Sequence, residues 1–178
     1  MPEFQAKLIQ YKYHPLRVYL HWFSAAVIIW ALISGFYSTF GTSSPNVKTA
    51  IGFINVSVTT IYLPFFILRL LSAVCLYGPT YPVTDDKVHN QIAKGMHIAL
   101  YVVTTVVMIT GVLMMSRDIS VFGVFTISQP ITDERLISWF KILHIISNIL
   151  LSMMVTAHLI AVIAHKAKGR NIIFRMST

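Results

Sequence analysis

Four stretches of this chain run for roughly twenty residues each with almost no charge, the length a helix needs to cross the hydrocarbon of a bilayer. They fall at about residues 18–40, 50–76, 93–116 and 136–165. No water reaches the bilayer core to satisfy backbone groups, so a spanning segment must be a helix or part of a closed barrel. Continuous apolar runs, rather than strict alternation, select the helix. Composition agrees: 11% of residues are charged and 56% hydrophobic, whereas a soluble domain carries about 25% charged residues. The expected fold class is an all-α membrane protein, a four-helix transmembrane bundle, with residues 1–178 as a single domain. A secreted disulfide scaffold, a disordered chain and an ordinary cytosolic enzyme are excluded. The one cysteine, Cys75, allows no internal disulfide and no CxxC pair. It lies in an apolar run and reads as a small packed hydrophobe.

The first run begins near Arg17. It is too long for a signal-peptide core and lacks a small-residue cleavage site, so it is read as a span, not a cleaved leader. Pro64 stands inside the second run and frees the carbonyl of Thr60, which predicts a kink. Between the third and fourth runs, VFGVFTI is too short to span and is expected at the membrane surface. Trp22 and Trp139 suit the interfacial belt, and Trp30 suits packing.

The net charge is +8. Lys and Arg cluster at the ends of the apolar runs, which suits lipid headgroups and not nucleic acid. An even number of spans puts both termini on one side. Lys48, Arg117, Arg135 and Lys141 then lie on the opposite side, and the other ten basic residues lie on the terminal side. The positive-inside rule therefore predicts both termini in the cytoplasm. Arg69 is placed near a span end, with the alternative that it snorkels from within the hydrocarbon.

Seven histidines in so apolar a chain need an explanation, because ionisable groups inside spans are costly and usually functional. His14 and His89 stand in polar flanks and read as solvated. His21 is about one turn into the first span, His97 about one turn into the third, and His144, His158 and His165 lie on the fourth. His144 and His158 are 14 residues apart. At about 100° per residue they face within roughly 40° of each other, about 21 Å apart along the axis. One helix face thus shows one imidazole to each leaflet, an arrangement suited to two stacked cofactors. Haem iron takes axial histidine, and bundles build such sites from facing helices. The depths of His21 and His158 match within a turn, so these two can clamp one iron. The residue of the second span at the depth of His144 is Asn55, a poor haem ligand. His97 and His165 are weighed evenly between ligand or quinone-site groups and interfacial polar residues. The methionines, among them Met108, Met114 and Met115, read as core or lipid contacts. No set of residues stands out as catalytic.

The chain resembles the bacterial cytochrome b561 family, related to the four-helix cytochrome b subunits of hydrogenases and formate dehydrogenases. The resemblance rests on YLHW in the first span, the Arg-bearing INVSVTTIYLPFFILRLL, GMHIALY opening the third span, and ISVFGVF in the third loop. It extends to His144, His158 and His165 in order, followed by a tail ending IIFRMST. The resemblance implies a bundle binding haem b, typically two haems. By that likeness His21 and His158 would ligate the haem on the cytoplasmic side. His144 would ligate an outer haem, whose partner in the family is a histidine where this chain has Asn55. The resemblance further implies electron exchange with membrane quinone and with a redox partner subunit. Lys94, His97 and His165 are the candidates to meet the quinone. Two alternatives remain. One is a superoxide oxidase reducing ubiquinone, for which outer loops carrying Asp118, Asp133 and Glu134 beside the four basic residues give little anion-steering charge. The other is a cofactor-free scaffold that retains the fold.

Overall fold

The computed structural model describes residues 12–76, 87–168 and 172–176, with the side chains of 87–90, 172 and 175 excepted. Within them the chain forms α1 (Pro15–Phe40), α2 (Pro45–Cys75), α3 (Lys87–Leu113), a β-hairpin of β1 (Ile119–Val121) and β2 (Phe125–Ile127), and α4 (Glu134–Ala167), then a short 3-10 turn at Ile172–Met176. All four long helices are long and apolar enough to cross a membrane. The four-helix bundle read from the sequence is therefore the observed fold. The side chain of His89 and the loop expected between the second and third spans lie outside the described residues.

The helices reach further than the apolar runs that announced them, because local capping sets their ends. Pro15 sits in the first turn of α1, where a missing N–H costs nothing. His14 is not simply a solvated flank residue: its Nδ1 accepts from the Leu16 N–H at 3.2 Å and caps the helix. Asp133 caps α4 by accepting from the N–H groups of Arg135 and Leu136 at 2.8 and 3.1 Å. Glu134 in its first turn and His165 and Lys166 in its last suit the helix dipole. Helix α2 continues unbroken through Pro64. Nearby Thr59 and Thr60 return their hydroxyls to carbonyls one turn back.

The bundle is built as two helical hairpins. Helix α1 packs along α2 and α3 along α4, while the backbones of the two pairs approach each other at few points. Small hydroxyl residues mark the seams: Ser24, Ser34, Ser57 and Ser72 are buried on α1 and α2, and Thr104, Thr110 and Ser147 on α3 and α4. Lipid tails are as apolar as leucine, so close backbone approach at small residues, rather than hydrophobic burial, draws such helices together. Between the hairpins, side chains bridge the seam. Val27, Tyr62 and Phe66 form a buried cluster, with Tyr101 and Met108 of α3 packed against it.

The segment expected at the membrane surface folds back as the β1–β2 hairpin. Phe122 and Gly123 turn it, with φ of 48° and 72°, and the Val124 N–H donates to the Val121 carbonyl at 2.9 Å. Ile119 and Val121 are buried. Ser57 of α2 grips the strand from within: its hydroxyl accepts from the Phe122 N–H at 3.0 Å and donates to the Ser120 carbonyl at 3.4 Å. The hairpin thereby caps this end of the bundle. Cys75, read as a packed hydrophobe, is exposed at the last position of α2.

Candidate functional site

At the terminal end of the bundle, four polar side chains from four helices converge. His21 enters from α1, Arg69 from α2, His97 from α3 and His158 from α4. The His97 and His158 rings meet edge to face, with centroids 5.6 Å apart. Arg69 approaches His21, its Nη2 lying 3.2 Å from the ring Nδ1. The same guanidinium lies over the Tyr101 ring, 5.3 Å from its centroid. Arg69 therefore does not snorkel outward. It turns into the seam and links α1, α2 and α3, which is where a buried cation finds partners.

The contact with Arg69 also fixes a tautomer. A guanidinium only donates, so His21 Nδ1 accepts and the ring proton of a neutral His21 sits on Nε2. Iron ligation through Nε2 requires the opposite tautomer. Holding a metal at His21 thus requires Arg69 to release Nδ1. Tyr62, 1% exposed, lies in the same seam near Ser24 and Arg69.

Towards the capped end the arrangement differs. His144 leans on α3. Its Nδ1 is 3.1 Å from the Val107 carbonyl and 3.1 Å from Thr110 Oγ1. A carbonyl only accepts, so the proton is on Nδ1 and the lone pair on Nε2. Gly111 makes room, because a Cβ there would stand 3.1 Å from His144 Cε1. Asn55, the residue expected at this depth on the second span, is occupied in its own hairpin: its carboxamide oxygen accepts from Ser34 Oγ at 3.1 Å. His165 is half-buried and forms no hydrogen bond among the described residues. Lys94 is exposed on α3, about one turn before His97.

The structure thus brings His21, His97 and His158 together, sets His144 apart, and leaves His165 outside both groups. Sequence reasoning missed Arg69 and Tyr62 as members of the inner group. The available signal was one arginine inside an otherwise uncharged run, a feature that more often faces a partner than lipid. It also missed Thr110 and Gly111, whose roles exist only because His144 packs between them.

Half-buried histidines on both hairpins, beside a seam crossed by side chains, stand in a four-helix membrane bundle, a setting in which haem iron is commonly held by histidine. The chain belongs to the prokaryotic cytochrome b561 family, whose model matches residues 12–178. It is therefore a multi-pass membrane haem b electron-transfer protein. No curated protein matches the chain.

Proposed function

We propose that this protein carries electrons between membrane quinone and a redox partner subunit, through haem b held by His21 and His158 on the cytoplasmic side of a bacterial inner membrane. The observation that carries the reading is the inner cluster, in which Arg69 of the first hairpin lies against His21 and reaches over Tyr101 of the second, whose His97 and His158 rings meet edge to face. Haem b supplies a one-electron couple when bound. The chain supplies the rest. The two imidazoles would hold the group from opposite hairpins, Val27, Tyr62 and Phe66 keep the space beyond it dry, and Arg69, released from His21 Nδ1, would remain a positive charge in the seam over the Tyr101 ring.

Quinone is proposed to meet the protein at this same end. Quinone reduction consumes protons as well as electrons, so its carbonyls need donors. His97 touches His158, Lys94 lies about one turn away on the same helix, and His165 stands two turns beyond His158. All three can donate to a carbonyl or relay a proton. The Lys/Arg distribution supports both termini in the cytoplasm.

The test is spectroscopic. Purified full-length protein is expected to show a low-spin haem b spectrum, and added quinol is expected to reduce it. His97→Ala should slow that reduction at unchanged haem content. A colourless preparation would overturn the haem site, and quinol-inert haem would overturn the quinone assignment. A periplasm-dependent reporter fused at Thr178 is expected to stay inactive, and its activity would reverse the orientation.

A further inference from the structure

The end of the bundle that carries the β1–β2 hairpin holds a cavity of about 620 Å³ between the start of α2 and the chain leading into β1. On the α2 wall, Asn46, Ala50, Phe53 and Val56 recur at helical spacing and so share one face of the helix. That wall is polar at Asn46, in the first turn, and apolar by Phe53 and Val56, the last about 15 Å further along the axis. Met115 and Ile119 add apolar surface from the opposite wall, and Arg117 and Asp118 add one charge of each sign. Asp118 is fixed there, its Oδ1 accepting from the Gln129 N–H at 2.9 Å. The two walls are tied together. Phe53 meets Phe122 of the hairpin turn edge to face, with ring centroids 6.2 Å apart, and Ser57, one turn beyond Phe53, bonds the strand. Phe53 and Ile54 are exposed on a helix long and apolar enough to cross the membrane. Apolar surface exposed at such a position faces hydrocarbon, so the cavity opens beside the acyl chains of the bilayer.

We propose that this cavity binds a single zwitterionic phospholipid of the phosphatidylethanolamine class. Arg117 meets the phosphate, Asp118 meets the ammonium, and Phe53, Val56, Met115 and Ile119 cover the first part of an acyl chain. The charges choose the class. A headgroup with only negative charge would set a like charge against Asp118. An uncharged apolar molecule would take water from a guanidinium and a carboxylate and return no partner, which is costly. A headgroup bearing both signs serves both through charge-assisted hydrogen bonds, the primary ammonium donating to the carboxylate and the guanidinium to the phosphate. The α2 wall, polar first and apolar deeper, follows the order of a lipid from headgroup to chain. The site shares no residue with the histidine groups, so the inference is independent of the haem reading.

The experiment uses the purified full-length protein, delipidated in mild detergent, and native mass spectrometry. Phosphatidylethanolamine and phosphatidylglycerol with identical acyl chains are offered together. One phosphatidylethanolamine per chain is expected to persist at collision energies that remove phosphatidylglycerol. Arg117→Gln should lower that retention roughly tenfold, the scale of one charge-assisted hydrogen bond. Asp118→Asn should turn the preference towards phosphatidylglycerol, because a cavity left with a cation alone favours the anionic lipid. Ala50→Phe fills the cavity from an exposed helix position without changing charge. It should abolish the adduct, and it serves if Asp118→Asn, which loosens Gln129, does not fold. Phosphoethanolamine, the headgroup without chains, should not compete. Equal retention of the two lipids by the unaltered protein overturns the inference, as does a preference that survives unchanged in both Arg117→Gln and Ala50→Phe. Displacement of the lipid by phosphoethanolamine overturns it too, by assigning the cavity to a soluble zwitterion.

Discussion

The two ends of the bundle hold their histidines differently. At the terminal end, His21, Arg69, His97 and His158 come from four separate helices, and each is engaged by a group from another helix. At the capped end, His144 is engaged within its own hairpin by Val107 and Thr110, and Asn55 within the other hairpin by Ser34. The inner site therefore spans the seam between the hairpins, and the outer site is seated on one side of it. A group clamped from both sides depends on how the hairpins dock. One seated on a single hairpin depends only on the α3–α4 contact. The same helix, α4, supplies a histidine to each, so the contrast comes from the facing helices and not from the ligand type.

The largest expected effect lies at the clamped end. His21→Ala or His158→Ala should abolish the low-spin inner haem, seen as loss of its narrow visible bands and of haem content. Removing one strong axial ligand leaves an empty or high-spin site. An unchanged low-spin spectrum in either variant would show that the seam is not the site. Asn55→His comes next and is aimed at the asymmetry itself. It should add low-spin character associated with His144 and make the two ends alike, provided the new imidazole leaves Ser34 and turns across the seam. No change in haem content or spin state would mean that α2 does not face His144 closely enough.

Arg69→Leu should have a smaller effect, confined to the inner end. A fixed positive charge favours the reduced, less positive state of a nearby haem, so its removal should lower the midpoint potential. A unit charge roughly 8 Å away at an effective dielectric of about 20 is worth ~2 kcal/mol, on the order of 50–100 mV for one electron. Redox titration checks the shift, and an unchanged potential with normal haem content would remove Arg69 from the site. The smallest effect is expected from Ser57→Ala, which deletes both hydrogen bonds gripping the β1–β2 hairpin. The cost should be about 1 kcal/mol. It should appear as faster proteolysis at the hairpin, with the inner haem spectrum unchanged.

Much of the architecture was legible in the sequence. Four apolar runs of spanning length leave a chain little choice but four helices, because the bilayer permits no unsatisfied backbone. The 14-residue interval between His144 and His158 gave their shared face, and both do turn towards α3. Helix ends were less legible, since His14 and Asp133 cap their helices beyond the apolar residues. VFGVFTI read as a surface segment because its apolar run is short. Its folding back as a hairpin, with Val121 buried and residues 122–127 exposed, depends on the turn at Phe122 and Gly123 and on the hydroxyl of Ser57, a residue 65 positions away from Phe122.

The sequence by itself determined the class of molecule, the number of spans, and which helices carry histidine. Each of these is a property of one segment against the bilayer, and hydrophobicity and helical period act locally. Only the tertiary structure decided that the helices pair as two hairpins, that Arg69 turns inward to His21 and Tyr101, and that Asn55 and His144 are engaged on opposite sides of the seam. Those outcomes depend on where small residues let backbones approach and on which buried polar groups can reach partners. Both are relations between segments, settled when the helices dock.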